Sequence, residues 1–129
     1  MPIKYEYDPN LNIVHCRPYG EVSTLEVTDH IKEISIADEV RTGFLEIIHL
    51  EDVEDFHFSL KEAEYITKLY NALKENIEIS STIFIGENNL HFEIARMFKY
   101  LHDIHYPEGY VFIARNEEEA DKFIKIVIS

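Results

Sequence analysis

Residues 44–50 read FLEIIHL, and directly after a short acidic stretch Ser59 opens a segment with helical spacing. Leu45, Ile47, Ile48 and Leu50 put apolar groups on both faces of any strand formed there, the pattern of a strand inside a sheet. Ser59-Leu60-Lys61-Glu62 has the form of a capping box, in which the serine oxygen accepts from a backbone N–H and the glutamate reaches back. Ala63, Ile66, Tyr70, Leu73 and Ile77 then step by 3, 4, 3 and 4, the strongest helical periodicity in the chain. An interior strand followed by one amphipathic helix and another strand requires a crossover, which builds parallel pairing. Glu46 and His49 interrupt the strand, and if buried they cannot both be left unpaired: at least one must reach the sheet's end or a polar partner.

The rest of the chain repeats this alternation. Ile3, Tyr5 and Tyr7 alternate with Lys4 and Glu6, Asp8-Pro9-Asn10 supplies turn chemistry, and residues 12–17 alternate again, so the start reads as a β-hairpin closed by Pro18 and Gly20. Ser23-Thr24-Leu25-Glu26 is a second capping box. It opens a helix over residues 24–37 with Val27, Ile31 and Ile34 as its buried stripe and Asp29, Lys32 and Glu33 toward water. Residues 81–86, STIFIG, read as another interior strand, and a helix follows with Leu90, Ile94, Met97, Phe98 and Leu101 as its apolar face, ending near His102 before Pro107 and Gly109. Residues 110–114, YVFIA, give a last strand. Asn116 caps a final helix whose apolar face is Ala120, Phe123, Ile124 and Val127. The predicted order is ββαβαβαβα in one domain over residues 1–129: an α/β fold with a mixed sheet, an antiparallel hairpin at one side and three parallel strands beyond it. Ligands of such sheets gather past the carboxyl ends of the strands, which directs attention to residues 51–58, 86–89 and 115–116.

Composition narrows the function classes. With 25 acids against 12 bases the net charge is −13, which repels phosphate backbones and anionic membrane surfaces, so nucleic acid is not an expected partner. No stretch approaches the roughly 18 apolar residues of a membrane span. The single cysteine, Cys16, excludes an internal disulfide and suits a reducing cytoplasm; in a strand it reads as a small buried hydrophobe. The chain has no G-x-S-x-G elbow, no phosphate-cradling G-x-x-x-x-G-K-[ST], no G-x-G-x-x-G and no H-E-x-x-H. The expectation is therefore of no catalysis and no cofactor.

Several elements together resemble one family. The hairpin closing in Pro18-Tyr19-Gly20-Glu21-Val22, the central strand running through a loop to Ser59, the run Phe92-Glu93-Ile94-Ala95-Arg96-Met97-Phe98 and the ending Asn116-Glu117-Glu118-Glu119-Ala120 are similar to the STAS domain group, specifically the bacterial SpoIIAA-like proteins related to anti-sigma-factor antagonists. The resemblance spans nearly the whole chain in element order, and its motifs are short. It implies a SpoIIAA-like fold and a non-enzymatic regulatory role by partner switching, in which an anti-sigma kinase phosphorylates a serine or threonine at the start of the helix after the central strand. By position that residue is Ser59, approached by Asp55, Phe56, His57 and Phe58 as interface residues. The family's Asp-Ser-(Ser/Thr)-Gly neighbourhood is replaced here by Asp55-Phe56-His57-Phe58-Ser59-Leu60. Ser59 read from its own surroundings is an N-cap.

Other groups carry weaker signals. Glu51, Asp52, Glu54 and Asp55 place four carboxylates in five residues, enough for a hard cation but without the spacing and glycine of a calcium loop, so a solvated acidic loop is expected. His102 and His105 are three apart near a helix end, a spacing that suits zinc, but no third ligand is identified and no metal is expected. Arg96 is expected in a structural ion pair. The alternative function is a binding module or carrier for a small apolar or lipid-like ligand, suggested by the Tyr and Phe content; it requires a cavity of a few hundred Å³ between the Ser59 helix and the next helix. A homodimer is a further expectation wherever a conspicuous apolar patch stays exposed.

Overall fold

The computed structural model describes residues 3–77, 81–105 and 111–128, with side chains for all of these except 73–77. The elements run β1 (Ile3–Asp8), β2 (Ile13–Pro18), β3 (Gly20–Ser23), α1 (Thr24–Ser35), β4 (Leu45–His49), β5 (Val53–His57), α2 (Leu60–Ile77), β6 (Ser81–Ile85), α3 (Asn89–His105), β7 (Val111–Ala114) and α4 (Glu117–Ile128). Leu73 and Ile77 of the expected α2 stripe, and the expected strand start at Tyr110, lie outside the described side chains and residues.

Five strands form a sheet in the order β1-β2-β4-β6-β7. β1 pairs antiparallel with β2, while β2, β4, β6 and β7 run parallel. Asp8 Oδ1 accepts from the backbone N–H groups of Asn10 and Leu11, which closes the hairpin as an Asx turn. The parallel strands follow one another across the sheet in chain order, as crossovers of one hand produce when their helices share a face.

Alternation along β4 divides the core. Leu45 and Ile47 join Ile13, Ile83, Ala114 and Ala120 on the face covered by α4, whose Phe123, Ile124 and Val127 pack onto them. Ile48 and Leu50 turn the other way, toward α1, α2 and α3, with Val22, Phe84, Ala95 and Phe98. Ile13, Ile47, Leu50 and Ile83 are each at most 1% exposed, and burying such a side chain contributes about 1.5–3 kcal/mol.

Residues 51–58, expected as a loop, contain β5, which pairs in parallel with β3 as a separate two-stranded sheet. The chain turns at Tyr19 and Gly20, where φ is +67°, a conformation that favours glycine. It restarts as β3 rather than ending with Pro18, and Gly20 N–H donates to Asp52 O at 2.9 Å. Acidic residues are poor strand formers, so β5 is held by this ladder and by inward-facing Val53 and Phe56 instead of by propensity.

Two helices also differ from expectation. α1 stops at Ser35, and α3 continues to His105. The buried positions of α3 are His91, Ala95, Leu101 and His102, and Leu90 is 39% exposed. The helix is rolled because the His91 ring donates from Nε2 to Val53 O at 2.7 Å, a buried polar contact that outweighs the apolar face Leu90 would have offered. Gly86 permits this approach, since a Cβ there would lie 2.9 Å from His91 Cβ.

Candidate functional site

The candidate site has two parts, one at the N-terminal ends of α1 and α2 and one inside, between these helices and the sheet. The first is a pair of capped helix starts. β3 and β5 lie side by side with Ser23 opposite His57, so the two strands deliver two caps to neighbouring positions. Ser23 accepts from Glu26 N–H at 3.4 Å and its own N–H donates to Glu26 Oε1 at 3.1 Å. Ser59 does the same with Glu62: Glu62 N–H donates to Ser59 Oγ at 3.2 Å and Ser59 N–H to Glu62 Oε1 at 3.0 Å. The second Glu62 oxygen accepts from the Thr24 hydroxyl at 2.7 Å. Glu62 therefore ties the first turns of the two helices together, and these donors hold its carboxyl below the usual range, the Ser59 N–H first and Thr24 second.

Ser59, Asp55 and His57 are exposed. His57 Nε2 stands 3.3 Å from Glu21 across the β3–β5 ladder. Phe56 and Phe58, the other expected interface residues, are half-buried and turn inward. Their rings meet edge to face at 5.5 Å, Phe58 continues onto Phe98 at 5.7 Å, and Phe98 stacks on Phe84 at 6.0 Å. The aromatic ladder anchors the approach to Ser59 onto the sheet while leaving the serine in water. Leu25 and Leu60, in the tied first turns, are 67% and 60% exposed.

The second place lies inside. Phe56 and Phe58 line a cavity of about 110 Å³ between the sheet and α1, α2 and α3. Its walls are apolar, but its lining includes Cys16, His30, Glu46, Thr82 and Tyr70. Cys16 Sγ is 3.1 Å from His30 Nε2 and donates to Glu46 Oε2 at 3.2 Å. Tyr70 donates to Glu46 Oε1 at 3.1 Å and is closely hydrogen-bonded to Thr82. Burial, reinforced by the Glu46 charge, pushes both the Cys16 thiol and the Tyr70 phenol well above their ordinary values. The volume falls short of the few hundred Å³ that the carrier reading required, so that reading gains no support from the cavity.

The second polar residue of β4 turns the opposite way. His49 Nε2 is 3.0 Å from His15 Nδ1, and His49 Nδ1 is 3.4 Å from Glu117 at the start of α4. Burial lowers the His49 pKa to about 4, with the Arg17 and His15 charges contributing. His15 is lowered too, by burial and then Arg17. Both polar residues of the central strand thus have partners, on opposite faces of the sheet.

The remaining sequence candidates are dispersed. Glu51 lies 3.7 Å from Arg17, and Glu54 and Asp55 are exposed on β5. Among the described residues the acidic run assembles no metal-ligand set. His102 is buried on the cavity side, whereas His105 is exposed. Arg96 pairs with Glu93 at 3.2 Å, as expected. The inner cluster does not stand out in the sequence because Cys16 passes for a small hydrophobe and His30 stands among polar neighbours. A signal is present all the same: His30 lies three residues after Val27 and four before Ile34, on the buried stripe of α1.

No protein-family model matches the chain, and no curated protein matches it. Solved structures share its fold. One is the anti-sigma factor antagonist SpoIIAA in its unphosphorylated form, 17% identical over 95% of this chain and 97% of that one, with a TM-score of 0.59. Another is an uncharacterized DUF3478-family protein with a SpoIIAA-like fold from Shewanella loihica PV-4, 16% identical over 93% of this chain and 90% of that one, with a TM-score of 0.53. The expected SpoIIAA-like fold is thereby shown. No helix among the described residues is long and apolar enough to cross a membrane.

Proposed function

We propose that this chain is a non-enzymatic regulatory interaction domain that docks a partner protein of the anti-sigma-factor class through the face around Ser59, and that modification of Ser59 releases the partner. One observation carries the reading: the exposed Ser59 cap shares Glu62 with Thr24, so the Ser59 hydroxyl stands, with that of Thr24, at the joint between two helix starts. The face joins exposed acids, Glu21, Glu54, Asp55 and Glu62, to exposed Leu25 and Leu60. It suits a partner that presents basic residues around an apolar centre.

A phosphate on Ser59 Oγ would add close to two negative charges beside the Glu62 carboxylate. Free N–H groups at the start of α2 would draw the phosphate in, while like-charge repulsion would drive Glu62 away from Ser59 and Thr24. The joint would loosen and the docking surface change shape. Phe56 and Phe58 serve in this reading as inward anchors, and Asp55, His57 and Ser59 as the residues the partner touches. The solved SpoIIAA structure is of an anti-sigma factor antagonist in an unphosphorylated form, and its likeness in fold is what directs the choice of partner class. The test is the affinity of a specifically recovered partner for the wild-type chain, Ser59→Ala and Ser59→Asp, with loss of binding expected on adding the charge.

A further inference from the structure

We infer that Cys16, His30 and Glu46 form a buried three-ligand site for a borderline divalent cation, zinc above all, with its remaining coordination position facing the cavity beneath Phe56 and Phe58. The three donors come from different elements, β2, α1 and β4, and are each at least nine-tenths buried. Their ligating atoms form a triangle with edges of 3.1 Å (Sγ to Nε2), 3.2 Å (Sγ to Oε2) and 3.8 Å (Nε2 to Oε2). A tetrahedral zinc with bonds of about 2.3 Å to sulfur and about 2.0–2.2 Å to nitrogen and oxygen needs edges of roughly 3.3–3.6 Å. Shifts of a few tenths of an ångström suffice to seat the ion.

Charge and donor type point the same way. Glu46 is 4% exposed, and a buried carboxylate is costly without a compensating cation. A Cys16 thiolate and a Glu46 carboxylate carry two negative charges that one divalent ion balances, with His30 neutral. The sulfur and nitrogen donors select zinc or a similar metal over magnesium and calcium, which take oxygen. Binding breaks the Cys16 S–H bond, and its proton leaves to solvent. The His30 proton is carried on Nδ1, freeing Nε2 to ligate. That Nδ1 is buried with no hydrogen-bond partner among the described residues, and coordination through Nε2 leaves it so. Tyr70 donates to the other Glu46 oxygen, the outer contact that orients ligating carboxylates. All three ligands line the cavity, which leaves room for water or a small donor as the fourth ligand. Three protein ligands with one open position is the arrangement of zinc sites that bind or activate a small molecule.

The chain's single cysteine makes the test direct. Metal-free full-length protein is titrated with Co²⁺, and the absorption spectrum is followed together with bound metal per chain. We expect one tightly held Co²⁺ per chain, tetrahedral d–d bands and a thiolate-to-cobalt charge-transfer band, with Zn²⁺ displacing all three signals. Cys16→Ser should abolish the charge-transfer band, and Tyr70→Phe, which keeps every ligand, should weaken binding about ten- to a hundredfold. Cobalt held at saturation without a thiolate band would assign it to other histidines or carboxylates and overturn the inference, as would no binding at all. Both readouts are made first on the wild-type chain, so the test stands whether or not a variant folds.

Discussion

The Thr24 hydroxyl and the Glu62 carboxylate meet at 2.7 Å, joining the first turns of two helices through residues 38 positions apart in the chain. The contact makes the Ser59 cap a shared element. Glu62 serves Ser59 with one oxygen and Thr24 with the other, so disturbing one helix start disturbs both.

The cap and the switch separate by substitution. Ser59→Ala removes the acceptor for the Glu62 N–H and should cost about 1 kcal/mol in urea unfolding. Ser59→Asp retains a good cap and favours the helix dipole, which offsets repulsion from Glu62, and should stay within about 0.5 kcal/mol of wild type. Equal destabilisation by both would contradict this, because it would mean that the aspartate carboxylate does not replace the serine hydroxyl as the cap.

The buried polar network predicts a second stability effect. Tyr70→Phe leaves Glu46 Oε1 without its donor in an apolar cavity and should destabilise the metal-free protein by about 2 kcal/mol. An unchanged midpoint of chemical unfolding would mean that water replaces the phenol.

Gly86 predicts a third. Alanine there would place a Cβ 2.9 Å from His91 Cβ and 3.0 Å from its carbonyl carbon, contacts that a helix backbone relieves only by moving. Gly86→Ala should cost about 2 kcal/mol, and in an amide spectrum the largest shifts should fall on residues near His91 and Val53, whose hydrogen bond would lengthen. Shifts confined to residue 86 and its chain neighbours would contradict this.

Acid should weaken the fold through His49. Its folded pKa, about 4, lies below the ordinary 6.5. The unfolded chain therefore binds a proton over this interval that the folded chain refuses. The contribution is fully present above pH 6.5 and is lost as the pH falls toward 4, amounting to about 3 kcal/mol. Unfolding midpoints measured between these limits should decline for wild type and less for His49→Asn. Identical slopes would exclude His49 as a source of the acid sensitivity.

Much of this architecture is legible in the chain because burial and periodicity coincide. The alternation of β1 and β2, the apolar faces of β4 and β6, and the caps at Ser23, Ser59 and Asn116 each have a local cause that the sequence displays. β3 and β5 are not legible, since Gly20–Ser23 and Val53–His57 become strands only by pairing with one another. The roll of α3 follows from the long-range contact of His91 with Val53 O, 38 residues away. At the candidate site the position of Ser59 can be read from its capping box. The Cys16, His30 and Glu46 cluster joins residues 14 and 30 positions apart in its hydrogen bonds, and only the fold brings them together.

If charge at Ser59 controls docking, it must show in the equilibrium affinity of a partner recovered specifically with the wild-type chain. That affinity is to be measured for wild type, Ser59→Asp and Lys125→Asp, a control exposed on α4. Ser59→Asp should bind about tenfold more weakly, equivalent to about 1.4 kcal/mol, with the Lys125 variant unchanged. Equal affinity for all three proteins would contradict control of docking by this serine.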